Sequence, residues 1–180
     1  MYESIIFAGF GGQGIQSMSK ILAKACMQEG LEVTWMPAYG GAMRGGTSNV
    51  TVNISDKMIG SPMPNPGDIT VAVVMNNPSM AKFESYVKPG GKLFVNSSLI
   101  DVAATRTDIE YIYVPVNDIA IELGNDRVAN MVMLGALLEK TQMVPLSSLT
   151  NYVESVFASK PQVVEANKQA IKKGVEYACK

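Results

Sequence analysis

The run Gly9-Phe10-Gly11-Gly12-Gln13-Gly14 has the spacing GxGxxG. Glycines let a phosphate or a partner backbone approach the main chain where a Cβ would clash. If a helix follows at once, its first N–H groups lack partners and its positive end favours an anion. That chemistry is anion or nucleotide binding; the plain alternative is tight packing of a helix on a sheet. A second constellation is Tyr39-Gly40-Gly41-Ala42-Met43-Arg44-Gly45-Gly46. A guanidinium between glycines can reach a phosphate or carboxylate with a forked pair of bonds; otherwise it is an exposed arginine in a loop. The chain has no histidine, which excludes every Ser-His, Cys-His or His-metal mechanism contained within it. Its two cysteines, Cys26 and Cys179, form no CxxC and cannot by themselves hold zinc or an iron–sulfur cluster. These residue types suit binding rather than bond-breaking, so no catalytic residue and no metal ligand is assigned.

The elements around these motifs follow an α/β rhythm. The run from Ser4 to Gly9, apolar and ending in glycine, suits a strand buried on both faces. Ile15, Met18, Leu22 and Ala25 recur at steps of three and four, predicting a helix that Gly30 closes. Glu32 to Met36 predicts a second strand and completes a strand–helix–strand unit. Beyond the loop, Val50, Val52 and Ile54 alternate with Asn49, Thr51 and Asn53, as in a strand with one wet face. A turn at Ser55-Asp56-Lys57 and a return strand at Met58-Ile59 would make this an inserted hairpin.

Asp68–Val74, Lys92–Val95 and Tyr111–Val114 predict three more strands. Helices are expected from Pro78 to about Tyr86, from a cap at Asp118 to Gly124, and over Val128–Lys140 with Asp126 as cap. Two more open at Ser147 or Ser148 and at Pro161. The expected fold is a single domain over residues 1–180: α/β, three-layer and Rossmann-like. Its open sheet is mostly parallel, with helices on both faces and an inserted antiparallel hairpin. Ligands of such sheets bind at the carboxyl edge of the strands. That edge would gather the glycine loop, the Arg44 loop, Asn76-Asn77, Asn96-Ser97-Ser98 and Asn117.

A stand-alone NAD reading meets an obstacle. The acidic residue that holds a ribose should close the second strand, yet Trp35, Met36 and Pro37 stand there, and Glu29 and Glu32 come too early. Composition narrows the classes further. Apolar residues make up 47% of 180 and the net charge is −1, which supports one core and offers no field to nucleic acid or an anionic membrane. No apolar run approaches the ~18–20 residues of a membrane helix. Met1-Tyr2-Glu3-Ser4 does not open like a signal peptide, so a reducing, cytoplasmic setting is expected.

GFGGQG, PAYGGAMRGG, SNVTVNISD, IGSP, KPGGKLFVNSSL, LGNDRVANMVMLGAL and NKQAIKKGVEYA occur in that order along nearly the whole chain. This ordered set resembles the gamma subunit of 2-oxoacid:ferredoxin oxidoreductases. The resemblance implies an enzyme of alpha, beta, gamma and ferredoxin-like delta parts. It oxidatively decarboxylates a 2-oxoacid with coenzyme A to an acyl-CoA and passes electrons to ferredoxin. Thiamine diphosphate and Mg2+ would sit mainly between alpha and beta, and [4Fe-4S] clusters in beta or delta. The gamma chain would hold none of these alone. It would line the CoA route with Gly9, Gly11, Gly12, Gln13, Gly14, Arg44 and Ser97. The short form with MRGGTSN and IGSP looks most like the 2-oxoglutarate or branched-chain members.

Two residues depart from the family pattern: Ala42 where an acidic residue often stands, and Asn96 where Asp is frequent. No role is therefore assigned to a carboxylate at either. Two alternatives stay open, a free-standing nucleotide-binding reductase and a purely scaffolding interaction subunit of the same fold. Gln13 either hydrogen-bonds a CoA phosphate or adenine, or ties the loop to its neighbour. Asn130, within an otherwise apolar helix, needs a partner in an adjacent loop or the alpha chain. Met133 and Leu137 are candidates for a subunit contact, and Tyr39 for packing on a partner or cofactor.

Overall fold

The computed structural model describes residues 1–39, 47–63 and 65–179. Among these, strands β1 (Tyr2–Phe10), β2 (Glu32–Tyr39), β3 (Thr47–Ser55), β4 (Ile69–Val74), β5 (Val87–Asn96) and β6 (Glu110–Val114) form one sheet. Its order is β2-β3-β1-β4-β5-β6. β1, β4, β5 and β6 run parallel, whereas β3 is antiparallel to both β1 and β2. The helices are α1 (Ile15–Gln28), α2 (Asn77–Phe83), α3 (Val116–Glu122), α4 (Ala129–Thr141), α5 (Leu146–Val156) and α6 (Pro161–Ala178).

The central strands alternate between two cores. Ile5, Phe7, Val71 and Val73 pack with α1, α4 and α6, while Ile6, Ala8, Ala72 and Val74 pack with Met80 and Phe83 of α2. Strands covered on both faces read as unbroken apolar runs, which is why β1 and β4 were recognisable. One side is far the thicker. Helix α4 is buried on all sides, and Met133 and Leu137, candidates for a subunit contact, lie wholly within this chain's core. Gly135 and Gly174 let α4 and α6 meet backbone to backbone. A Cβ on Gly135 would strike the Ile171 carbonyl, and one on Gly174 the Val132 carbonyl.

The hairpin differs from the expected one. Its arms are β2 and β3, paired from Glu32↔Ser55 to Tyr39↔Ser48, and Met58-Ile59 is not a strand. Strand β3 thus lies between β1 and β2, so α1 connects strands that are not neighbours. The position where a nucleotide fold would hold a ribose carboxylate beside β1 belongs here to β3. Nor is Asn53 on a wet face. It is buried, accepts from Ser4 Oγ at 2.7 Å, and donates to Thr34 Oγ1 at 2.9 Å and Pro62 O at 2.8 Å. Helix caps shift too. Asn125, not Asp126, caps the 3-10 turn leading into α4, and Asp118 sits in the first turn of α3 behind Pro115.

Candidate functional site

Strands β1, β4 and β5 end side by side, and a belt of carboxamides joins their ends. Gln13 is its hinge. Its Oε1 accepts from Phe10 N–H at 2.7 Å and from Asn76 Nδ2 at 3.2 Å, while its Nε2 donates to Met75 O at 2.9 Å. Asn76 accepts from Ser79 N–H at 2.9 Å and so caps α2. Asn96 donates to Asn117 Oδ1 at 2.8 Å and to Met75 O at 3.4 Å. Of the two roles open to Gln13, the tie to neighbouring strands is thus the one its side chain performs in this structure. The loop is drawn tight by it. A Cβ on Gly9 would lie 2.7 Å from Gln13 Oε1 and 3.0 Å from Met75 Cβ.

With side chains engaged in this way, the main chain carries the free donors. Gly12 and Gly14 have φ of 101° and 74°, the left-handed region that favours glycine. Gly14 opens α1, and among the described residues no side chain caps that helix start, where the first N–H groups have no partner within the helix. The Gly14 carbonyl accepts from Met18 N–H at 2.9 Å and from Asn130 Nδ2 at 3.4 Å. Asn130 therefore does find a partner in an adjacent loop. Gly12, Gln13, Gly14, Asn117, Asp126, Arg127 and Asn130 surround a cavity of about 370 Å³. The cavity thus brings a helix N-terminus and the Arg127 side chain, donors of the kind that suit negative charge, beside the opposing carboxylate of Asp126.

Of the residues expected at this site, Gly12, Gln13 and Gly14 line that cavity, and Gly9 supports it from β1. Ser97 lies at the same sheet edge beyond β5; its N–H donates to Val114 O at 3.0 Å, and it is not among the cavity's lining residues. Arg44 lies outside the described residues. The strands flanking its loop end beside the glycine loop, since Phe10 pairs with Thr47 and Gly9 with Ser48. Arg127 was missed by sequence reasoning, because a single arginine at a helix start carries no spacing signal. Among the described residues no group of three His, Cys, Asp or Glu is placed to hold a metal ion, and no helix is long and apolar enough to cross a membrane.

Comparison with known proteins identifies the family. Residues 4–177 match the family model described as pyruvate ferredoxin/flavodoxin oxidoreductase. The ketoisovalerate oxidoreductase subunit VorA of Methanothermobacter marburgensis is 35% identical over 96% of this chain and 36% of its own length. The chain thus spans about a third of that relative. The solved 2-oxoglutarate:ferredoxin oxidoreductase from Magnetococcus marinus, with 2-oxoglutarate, coenzyme A and succinyl-CoA bound, superposes with a TM-score of 0.90 at 25% identity, over 99% of this chain and 31% of that one. The keto/oxoacid ferredoxin oxidoreductase gamma subunit from Geobacter sulfurreducens gives 0.83 at 27% identity, over 98% of both chains. The chain belongs to the pyruvate ferredoxin/flavodoxin oxidoreductase family, as a gamma-subunit domain of the 2-oxoacid:ferredoxin oxidoreductases.

Proposed function

We propose that this chain is the gamma part of a cytoplasmic, thiamine-diphosphate-dependent enzyme. That enzyme converts a 2-oxoacid and CoA to acyl-CoA and CO2, delivering the electrons to ferredoxin. 2-Oxoglutarate is the favoured oxoacid. The observation that carries this reading is the pair of left-handed glycines opening an uncapped α1 onto a cavity that also holds Arg127. A fixed set of unpaired donors is matched to phosphate and is wasted on a mere scaffold. Gly9, Gly11, Gly12, Gln13, Gly14, Arg44 and Ser97 line the route, with Gln13 acting through the loop it braces rather than by direct contact.

Thiamine diphosphate, Mg2+ and the [4Fe-4S] clusters belong to alpha, beta and delta chains in this reading. Two thiols, one of them buried with its pKa pushed by burial to about 12, cannot make the four-thiolate set of a cluster. This chain's contribution is to bind and orient CoA so that its thiol reaches the acyl group. Co-expression with alpha, beta and delta homologues tests the assignment: a complex with CoA-dependent 2-oxoglutarate oxidation is expected. Arg44→Ala should raise the KM for CoA about tenfold, the loss of a charge-assisted bond, with the subunits still associated. A chain that never joins such a complex refutes the proposal. Unchanged CoA kinetics in the variant favour the scaffold reading, and tight NAD binding by the chain alone the reductase reading.

A further inference from the structure

The sheet ends at β6 on one side and at β2 on the other, so each of these strands has one edge with no neighbouring strand among the described residues. The two edges are not alike. β2 carries Pro37, which has no N–H to offer to a further strand. β6 has no proline, and its one charged residue, Glu110, is answered by Lys92 at 2.6 Å. Val114 O accepts from Ser97 N–H at 3.0 Å, so Val114, and with it Ile112 and Glu110, turns its main chain toward β5. The N–H and C=O groups of Tyr111 and Tyr113 therefore point outward, and among the described residues they have no hydrogen-bond partner.

The side chains along this edge are equally specific. Tyr111 and Tyr113 stack on the α2 side of the sheet with ring centroids 6.2 Å apart, and Tyr113 is 44% exposed. Tyr111 Oη donates to Glu84 and accepts from Arg106 N–H at 3.1 Å, which fixes that ring as a platform. Ile112 lies on the other side with α4 and α6. A trough of about 350 Å³ follows the strand there, bounded by Tyr177 and Ala178 at the end of α6.

The geometry points to a second copy of this chain as the occupant of the edge, paired antiparallel along β6 about a twofold axis at Ile112. In that register Tyr111 of each copy faces Tyr113 of the other, and outward N–H meets outward C=O at both pairs. The tyrosines continue their stack across the junction, and the two Ile112 residues stand opposite each other at the axis. Glu110 faces Val114, so no like charges meet. An axis at Tyr113 would set Tyr111 against Pro115, which lacks an N–H. An axis at Tyr111 would set Tyr113 against Ile109, outside the strand. A strand whose one full register satisfies its own outward groups is matched to a copy of itself. The pairing is short, so the association is weak, in the micromolar range, and it joins two sheets into one.

Sedimentation velocity on the full chain, from low to high micromolar concentration, is the test. A reversible monomer–dimer equilibrium is expected. Tyr113→Pro removes an outward N–H that the chain itself does not use, and should weaken dimerisation by about tenfold or more with the circular dichroism of the folded chain retained. A cross-link decides the matter should that variant fail to fold. Directly opposed residues that share no hydrogen bonds have Cα atoms about 4.5 Å apart, within disulfide reach. With Cys179→Ser removing the exposed thiol and Cys26 buried, Ile112→Cys should oxidise to a disulfide-linked dimer. Tyr113→Cys in the same background, out of step with its own copy, should not. A monomer throughout the range, dimerisation undiminished in a folded Tyr113→Pro, or cross-linking no better at 112 than at 113 would each overturn the pairing and leave the edge to a strand of another subunit.

Discussion

Two polar clusters in this chain, one around Glu84 and one along the glycine loop, are built on opposite terms. The Glu84 carboxylate accepts from Thr105 N–H at 2.8 Å and from the hydroxyls of Thr105 and Tyr111. Arg106 donates to Glu84 O at 2.9 Å and pairs with Asp108 at 2.6 Å. Burial alone would raise the Glu84 carboxyl. The bonds from Thr105 and Tyr111 and the Arg106 charge outweigh it and hold the group below the usual range. Burial, then the carboxylate it donates to, pushes the Tyr111 phenol up to about 12. Along the glycine loop the side chains also answer one another, but among the described residues no side chain caps the start of α1. Closed clusters pin a loop. Open ones leave donors for something else, and unused capacity, rather than polar density, is what singles out the glycine loop as the candidate.

The sharpest way to break this contrast is Glu84→Ala, which strips one acceptor from three donors. It should cost about 3 kcal/mol by urea denaturation while leaving CoA affinity untouched. A loss under about 1 kcal/mol, or weakened CoA binding, would erase the distinction between the clusters. The same carboxyl supplies a pH signature. Its folded pKa is depressed, so its contribution is whole above its unfolded value of about 4.3 and is lost as pH falls through the lower folded one. Wild type should therefore lose its advantage over Glu84→Gln on acidification through that window, and a constant difference would refute the assignment.

Gly9→Ala tests the open cluster from beneath. The new methyl meets Gln13 Oε1, Ile15 Cδ1 at 2.8 Å and Met75 Cβ, so the carboxamide must leave Phe10 N–H. About 2 kcal/mol of stability should go, and CoA affinity with it. Intact CoA affinity would show that the brace is unnecessary. The smallest effect belongs to Ser97→Ala, which should change stability by under about 0.5 kcal/mol and the KM for CoA by at most about threefold. A larger change would extend the site across β4 and β5.

Much of the scaffold was legible because its residues obey local rules. β1 and β4 are unbroken apolar runs, and α1 announces itself by its 3.6-residue spacing and its closing glycine, Gly30. Strand order was not legible, because β3's antiparallel insertion beside β1 depends on long-range pairing that no window of residues contains. Met133 and Leu137 read as candidates for a subunit contact for the same reason: α6, which covers α4, begins 20 residues after that helix ends, and its glycine contact is tertiary. At the candidate site, the glycine loop was readable and Arg127 beside it was not.

The glycine seam between α4 and α6 bears on how stiffly the chain holds Asn130 beside the glycine loop. With Ile171 and Val132 carbonyls abutting the opposite helix, neither helix can slide or roll without a steric clash. Asn130, which holds the Gly14 carbonyl, is therefore carried on one stiff slab, its place beside the glycine loop set when the chain folds rather than when a guest arrives. Such a surface meets its occupant with little reorganisation, so tight binding would express itself as slow escape more than as slow entry.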